Sequence, residues 1–273
     1  MPQRPPETPD DVARQLAQHV ESLRAAGVEW APGSPPGDLA PPAPPRLAVT
    51  ARPAAPAPAS LPVVQASIFS TAPLPAAAAD SPEGRLAQLE ALRQQVAACV
   101  RCPQLASTRT QTVFGVGPID PDLCFVGEAP GADEDRQGEP FVGAAGQLLT
   151  RIIVACGMKR EEVFICNILR CRPPGNRPPE PQEAENCSEW LHKTLELVRP
   201  KFICSLGNTP LRHLLGLSVG ITKARGRFYE WRGIPVLATF HPSYLLRSPE
   251  KKKEVWEDMK LLLARMGRPV PGK

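Results

Sequence analysis

Four short apolar runs constrain this chain most. They cover residues 122–127, 163–168, 201–206 and 235–240, and each has strand length and is rich in β-branched or aromatic side chains. Segments with helical spacing separate them, at 144–157, 182–198 and 207–215, and a last helix is expected over roughly 250–266. Strands alternating with helices call for a parallel sheet covered on both faces. The expected fold is therefore α/β, a three-layer αβα sandwich around a four-stranded, mainly parallel sheet. A strand order of 2-1-3-4 would put a switch point between the first and third strands. Residues 228–234 read as a small added hairpin.

In such a sheet, ligands bind beyond the carboxyl ends of the strands. The first run ends at Gly127-Glu128, the second at Asn167, the third at Gly207-Asn208 and the fourth at His241-Pro242-Ser243. Polar groups or glycine thus converge on one edge. The first connection, 127–143, carries Gly127, Gly131, Gly138 and Gly143, the stiffening Pro130, and the carboxylates Glu128, Glu134 and Asp135. It reads as a preshaped loop. An amide at Asn167 offers donors and an acceptor to a planar polar group, Phe141 offers a stacking face, and His241 can donate to a developing anion.

Before this domain the composition changes. The chain has 35 prolines in 273 residues, and 14 of them fall between Ala31 and Pro82. Residues 31–82 read as a Pro/Ala-rich disordered linker, because such a stretch buries too little apolar surface to offset ordering entropy. Residues 1–30 hold Val12, Leu16, Val20 and Leu23 at helical spacing, a short amphipathic helix that could carry a protein partner of unknown identity. The sheet and the edge described above belong to a domain over 83–268. It opens with Ser81 as helix cap and Pro82 at the first helical position. A net charge of +4 permits a nucleic-acid partner without demanding one. No apolar run reaches membrane-spanning length and the first residues lack a signal-peptide core, so no membrane partner and a cytoplasmic, nucleoid-associated location are expected.

The eight cysteines fall into two sets. Cys124, Cys166 and Cys204 lie in strands and Cys156 closes a helix, so these four read as small buried hydrophobes. Cys99 and Cys102 form a C-x2-C pair, while Cys171 and Cys187 lie on and just after a Pro- and Arg-rich loop. Together they can make a thiolate site. Softness admits zinc or an iron–sulfur cluster, and spacing does not choose between them.

Several stretches in combination resemble the family 4 uracil-DNA glycosylases. They are 99–103, 109–115, 127–135, 140–143, 145–149, 167–177 and 241–247. The resemblance spans about 85–265 and leaves out the first 80 residues. It implies the αβα fold already expected, and a structural 4Fe-4S cluster on Cys99, Cys102, Cys171 and Cys187. It implies a uracil pocket made by Gly127, Glu128 and Ala129, with Phe141 as stacking ring, Asn167 as base reader and His241 as stabiliser of the leaving group. Glu134 falls on an acidic family position. One departure is Ala129, where many members have glycine.

The implied activity is a monofunctional hydrolysis. A monomer takes uracil from single- or double-stranded DNA and leaves an abasic site, with Glu128 or Glu134 placing water or stabilising the sugar cation. A base must leave the stack before side chains can reach it. Arg172, Arg177, Arg225 and Arg247 are expected on the DNA, and Leu245 or Leu246 in the vacated space. No lysine falls on the motifs, so no Schiff-base step is suggested. The readings set against this are a non-catalytic iron–sulfur nucleic-acid-binding module, a redox protein, and a glycosylase for another deaminated base.

Overall fold

The computed structural model describes residues 80–271. The segments read as an N-terminal helix and a Pro/Ala-rich linker lie outside the described residues, up to residue 79. The domain opens with α1, Pro82–Ala97. Ser81 caps it as its sequence suggests, its hydroxyl accepting from the Gly84 N–H at 3.1 Å. Leu89, Leu92 and Val96 face inward from this helix. Arg85 is buried with them and is held by Asp120 and by the Leu197 carbonyl, the latter at 2.9 Å.

The elements then follow in order: α2 (Pro103–Thr108), β1 (Leu123–Gly127), α3 (Ala132–Gln137), α4 (Ala144–Ala155), β2 (Phe164–Asn167), α5 (Pro181–Val198) and β3 (Phe202–Leu206). After these come α6 (Asn208–His213), α7 (Ile221–Ala224), β4 (Phe228–Trp231), β5 (Ile234–Thr239), α8 (Pro242–Arg247) and α9 (Lys252–Arg265). The sheet runs β2-β1-β3-β5-β4. β1 pairs in parallel with β2 and with β3, and β3 pairs in parallel with β5. The four expected core strands stand in the expected order, with the switch point between β1 and β3. The sheet has five strands rather than four, because the hairpin at 228–234 adds β4 as an antiparallel edge.

The central strands are apolar because both faces are covered. One face packs Phe125, Ile165 and Leu237 against Leu149 and Ile153 of α4 and Leu263 of α9. The other packs Cys124, Val126 and Cys166 against Val96 of α1 and Leu191 and Leu195 of α5. The strand cysteines Cys124, Cys166 and Cys204 are fully buried and Cys156 nearly so, as small hydrophobes would be. Burial holds the Cys124 and Cys204 thiols well above their ordinary value and pushes Cys156 up to about 11.

Candidate active site

The carboxyl edge of the sheet opens into a cleft of about 710 Å³. Every parallel strand contributes to it. Gly127 and Asn167 are register partners at the ends of β1 and β2, Gly207 follows β3, and Phe240-His241 follows β5. Glu128, Phe141, Asn167 and His241 line the same space. The sequence places all four at one edge, and the structure brings them together.

Close packing explains the glycine at the end of β1. A Cβ on Gly127 would stand 2.4 Å from the Asn167 side-chain oxygen and 2.5 Å from Phe141 Cζ. Glycine here allows the ring and the amide to sit directly over the strand end. Of the four glycines read as backbone hinges, Gly138 takes a positive φ, +75°, where it ends a short helix. That helix, α3, stands where sequence reading placed only a loop. Six residues rich in acid gave no apolar period to detect, and two of the three acids, Glu134 and Asp135, are satisfied by backbone N–H groups.

Glu134 makes those bonds. One carboxylate oxygen accepts from the N–H groups of Val142 (3.0 Å) and Gly143 (2.9 Å), and the other from Gly131 (3.1 Å). Asp135, buried beside it, takes the Thr110 N–H with both oxygens at 3.0 Å. Three backbone donors occupy Glu134, so it fastens the wall that carries Phe141. Phe141 itself has φ +55°, an uncommon conformation for a bulky residue that this anchoring sustains.

Glu128 is held differently. The Thr209 hydroxyl, from the first turn of α6, donates to one of its carboxylate oxygens. No three-backbone grip engages Glu128, and it lines the cleft. Thr209 escaped sequence reading because a threonine in a short helix carries no spacing signal.

His241 caps α8. Its Nδ1 accepts from the Ser243 N–H at 3.1 Å and lies 2.8 Å from the Ser243 hydroxyl oxygen. With Nδ1 accepting from a backbone N–H, the proton of the neutral ring sits on Nε2. Burial, with the positive charge of Arg247 second, pulls the imidazole down to about 4, so the ring is neutral at physiological pH. Its centroid lies 5.6 Å from that of Phe141, at an interplanar angle of 35°.

Asn167 is 2% exposed, and its side-chain oxygen has no hydrogen-bond partner within the protein. Buried polar atoms are normally paired. An unpaired acceptor against the Phe141 ring, on a residue that lines the cleft, is one that a planar N–H donor bound there would satisfy.

The residues expected on DNA divide. Arg177 lines the cleft while gripping Glu183 with both terminal nitrogens, at 2.8 and 2.6 Å. Arg172 donates from Nε to Asn176 Oδ1 at 2.7 Å, and Arg247 stands exposed at the cleft. Arg225 instead points into the fold, paired with buried Asp258 at 3.0 and 2.7 Å. Leu245 is 1% exposed and belongs to the core, whereas the neighbouring Leu246 is 44% exposed.

The cysteines read as ligands do not line the cleft. Cys171 and Cys187 are buried in one apolar cluster with Leu105, Trp190 and Leu191, and Cys99 and Cys102 are partly buried against it. Arg109 Nη1 donates to Cys171 Sγ at 3.0 Å, and Asn186 Nδ2 to Cys102 Sγ at 3.5 Å. Among the described residues, no three His, Cys, Asp or Glu side chains are gathered tightly enough for a metal ion.

The uracil DNA glycosylase superfamily model matches residues 114–260, a span that holds the sheet and every cleft residue named above. The type-4 uracil-DNA glycosylase of Thermotoga maritima is 45% identical over 175 residues, covering 63% of this chain and 91% of that protein. That of Archaeoglobus fulgidus is 39% identical over 191 residues, 67% of this chain and 96% of that protein. A type-5 uracil-DNA glycosylase of Pyrobaculum aerophilum is more distant, 31% identical over 179 residues, 54% of this chain and 79% of that protein. The chain belongs to the uracil-DNA glycosylase superfamily, in its type-4 branch.

Proposed function

We propose that the chain hydrolyses the N-glycosidic bond of uracil in DNA, releasing the base and leaving an abasic site for repair. The unpaired, buried side-chain oxygen of Asn167 carries this reading. Uracil presents an N–H beside a carbonyl, and one amide can meet both, accepting from the first and donating to the second. Cytosine presents the opposite pair on that edge, so it would leave buried polar groups opposed or unpaired. Phe141 lies close enough to Asn167 to stack on a base held by the amide.

Bond breaking leaves an anionic uracil and a cationic sugar. The neutral His241 ring donates from Nε2 to the oxygen where negative charge grows, while Ser243 fixes that tautomer from the other nitrogen. Glu128, steadied by Thr209, holds water or faces the sugar cation. Glu134 acts at one remove, as the fastener of the Phe141 wall. Arg172, Arg177 and Arg247 are the phosphate contacts, and Leu246 is the residue to fill the vacated stack.

Cys99, Cys102, Cys171 and Cys187 would hold a 4Fe-4S cluster. The donor set fits: four soft sulfurs in one apolar corner, two of them already receiving N–H donors. When bound, the cluster supplies a structural cross-link between the segments at 99–102 and 171–187.

The test is incubation with oligonucleotides bearing uracil, cytosine, thymine or hypoxanthine, single- and double-stranded, followed by alkali. Strand scission at uracil alone is expected. No scission by protein that retains its cluster would overturn the reading, and scission at hypoxanthine in preference would reassign the base.

A further inference from the structure

Among the described residues, Arg170 is the largest side chain with almost no exposure, at 1%. Its Nη1 donates to the Phe114 carbonyl at 2.5 Å and its Nη2 to the Thr194 hydroxyl at 3.0 Å. The guanidinium carbon lies 5.3 Å from the centre of the Phe114 ring, and Nε has no acceptor. None of these partners is negative. No carboxylate pairs with Arg170 among the described residues. Arginine stays protonated in proteins, so the fold carries a buried positive charge that no carboxylate balances. It acts on the buried Cys166 thiol, which its hydrogen bond with Cys124 and then Arg170 pull down to about 7.

The position of that charge is informative. Arg170 precedes Cys171 in the chain, and its partner Thr194 lies on α5, the helix that carries Cys187. From the other side Arg109, half-buried, donates to Cys171 Sγ at 3.0 Å. One guanidinium thus donates to a sulfur of the set, and the other lies buried behind the loop and the helix that carry two of the cysteines. With four neutral thiols this arrangement is unfavourable, and with an iron–sulfur cluster on four thiolates, which is anionic, it becomes complementary.

We infer that Arg170 and Arg109 are the built-in counter-charge of the cluster, Arg170 from within the core and Arg109 from its rim. This rests on the reading of the four cysteines as cluster ligands. Both arginines act through the sulfurs, as positioning residues, and neither reaches the uracil cleft's lining. Residues that orient and neutralise metal ligands from behind commonly change metal retention by about tenfold or more. The inference separates charge from shape, because lysine keeps the first and glutamine keeps more of the second.

Purified, cluster-loaded Arg109→Gln, Arg109→Lys, Arg170→Gln and Arg170→Lys would be followed by visible absorbance and iron content in excess chelator. The glutamine variants are expected to lose the cluster about tenfold faster than the parent, with the lysine variants close to it. Equal retention by glutamine and lysine at both positions would overturn the inference. Cys166→Ala is the control, since Arg170's charge also reaches the Cys124–Cys166 pair. Accelerated loss there, equal to that of Arg170→Gln, would move the counter-charge to that pair and overturn the inference. Should neither Arg170 variant fold, hydrogen exchange on the parent decides: stripping the cluster is expected to deprotect 168–172 before the strands β1 and β3. Unchanged protection of 168–172 would overturn the role of Arg170. Parent protein without iron and sulfide would instead defeat the cluster reading, a different outcome from a cluster that ignores both arginines.

Discussion

The cleft and the cysteine corner are built in opposite ways. The cleft stands on strand ends, and its side chains are already fixed: Glu134 by three backbone N–H groups, Glu128 by Thr209, His241 by Ser243. What it leaves open is neutral, a single amide oxygen on Asn167. The corner is assembled from a helix-end turn, a proline-rich loop and a helix, with no strand among them. What it leaves open is a charge, on Arg170. A rigid frame with one unmet hydrogen bond selects a small neutral ligand. Loops arranged around an unmet charge take a permanent ionic one. The first should keep its shape empty, and the second should not.

The largest separation of the two should come from Asn167→Ala set against Cys171→Ser. Asn167→Ala is expected to lower kcat/KM on uracil-containing DNA by about 10²–10³-fold, from the loss of two buried hydrogen bonds to the base. Its iron content should not change. Cys171→Ser should lose iron and lower the melting temperature first, and lose activity only as a consequence. If Asn167→Ala were to bleach the protein, or Cys171→Ser to abolish cleavage with the cluster intact, the two regions would not be independent in the way the geometry describes.

His241→Ala follows, with an expected loss of about 10²–10³-fold in kcat, the usual scale for removing one donor to a developing anion. The pH dependence sharpens it. Burial holds the imidazole at about 4, below its ordinary value, so the neutral ring is the native form. Falling pH therefore costs stability once the unfolded chain begins to take up the proton, below roughly 6.5, and the cost grows until the folded pKa near 4 is passed. Activity governed by His241 should be flat from neutral pH downward and fall as pH nears 4. A rate that rose on acidification through pH 6 would mean a cationic histidine is the working form. That would contradict a ring whose Nδ1 accepts from Ser243.

How far this was legible from sequence differs between the regions for a physical reason. The four core strands and the convergence of Glu128, Phe141, Asn167 and His241 follow from period and from where parallel sheets bind their ligands, whereas the strand order is fixed by pairing. Each of these residues sits within a residue or two of a strand end, or in the loop that follows one. The residues that hold them, Thr209 and Ser243, are short polar side chains with no period, so their roles emerge only from contacts. Arg225 and Leu245 show the same limit from the other side. Sequence ranks a basic or apolar residue near a motif as a DNA contact, yet Asp258 is 33 positions from Arg225 and claims it. Helical phase turns Leu245 into the core and Leu246 out. The cysteine pattern was readable as a ligand set, and the buried charge beside it was not. An arginine in a Pro- and Arg-rich loop looks solvated until its burial is known.

Thr209→Ala should be a smaller effect, about tenfold in kcat, since one hydrogen bond to a carboxylate is lost while the carboxylate stays. Thr209→Ser should restore most of the rate, because the hydroxyl returns. Equal activity of the alanine and serine variants would make Thr209 a packing residue only.

The smallest effect should fall on Ala129, at the border of the two regions. Ala129 lines the cleft and also packs against the apolar cluster in which Cys171 and Cys187 are buried. Replacing it by glycine removes one methyl, about 0.8 kcal/mol if fully buried, and adds unfolded-state freedom of about 0.5–1 kcal/mol. Ala129→Gly is thus expected to lower stability by about 1–2 kcal/mol in denaturant unfolding. The pocket geometry is set by Gly127, Glu134 and the strand ends, so the extra space should alter kcat/KM on uracil by less than about threefold. A gain of tenfold or more would show that the methyl obstructs the base. A loss of that size, with iron retained, would show that the cysteine side of the core is felt in the cleft through this residue.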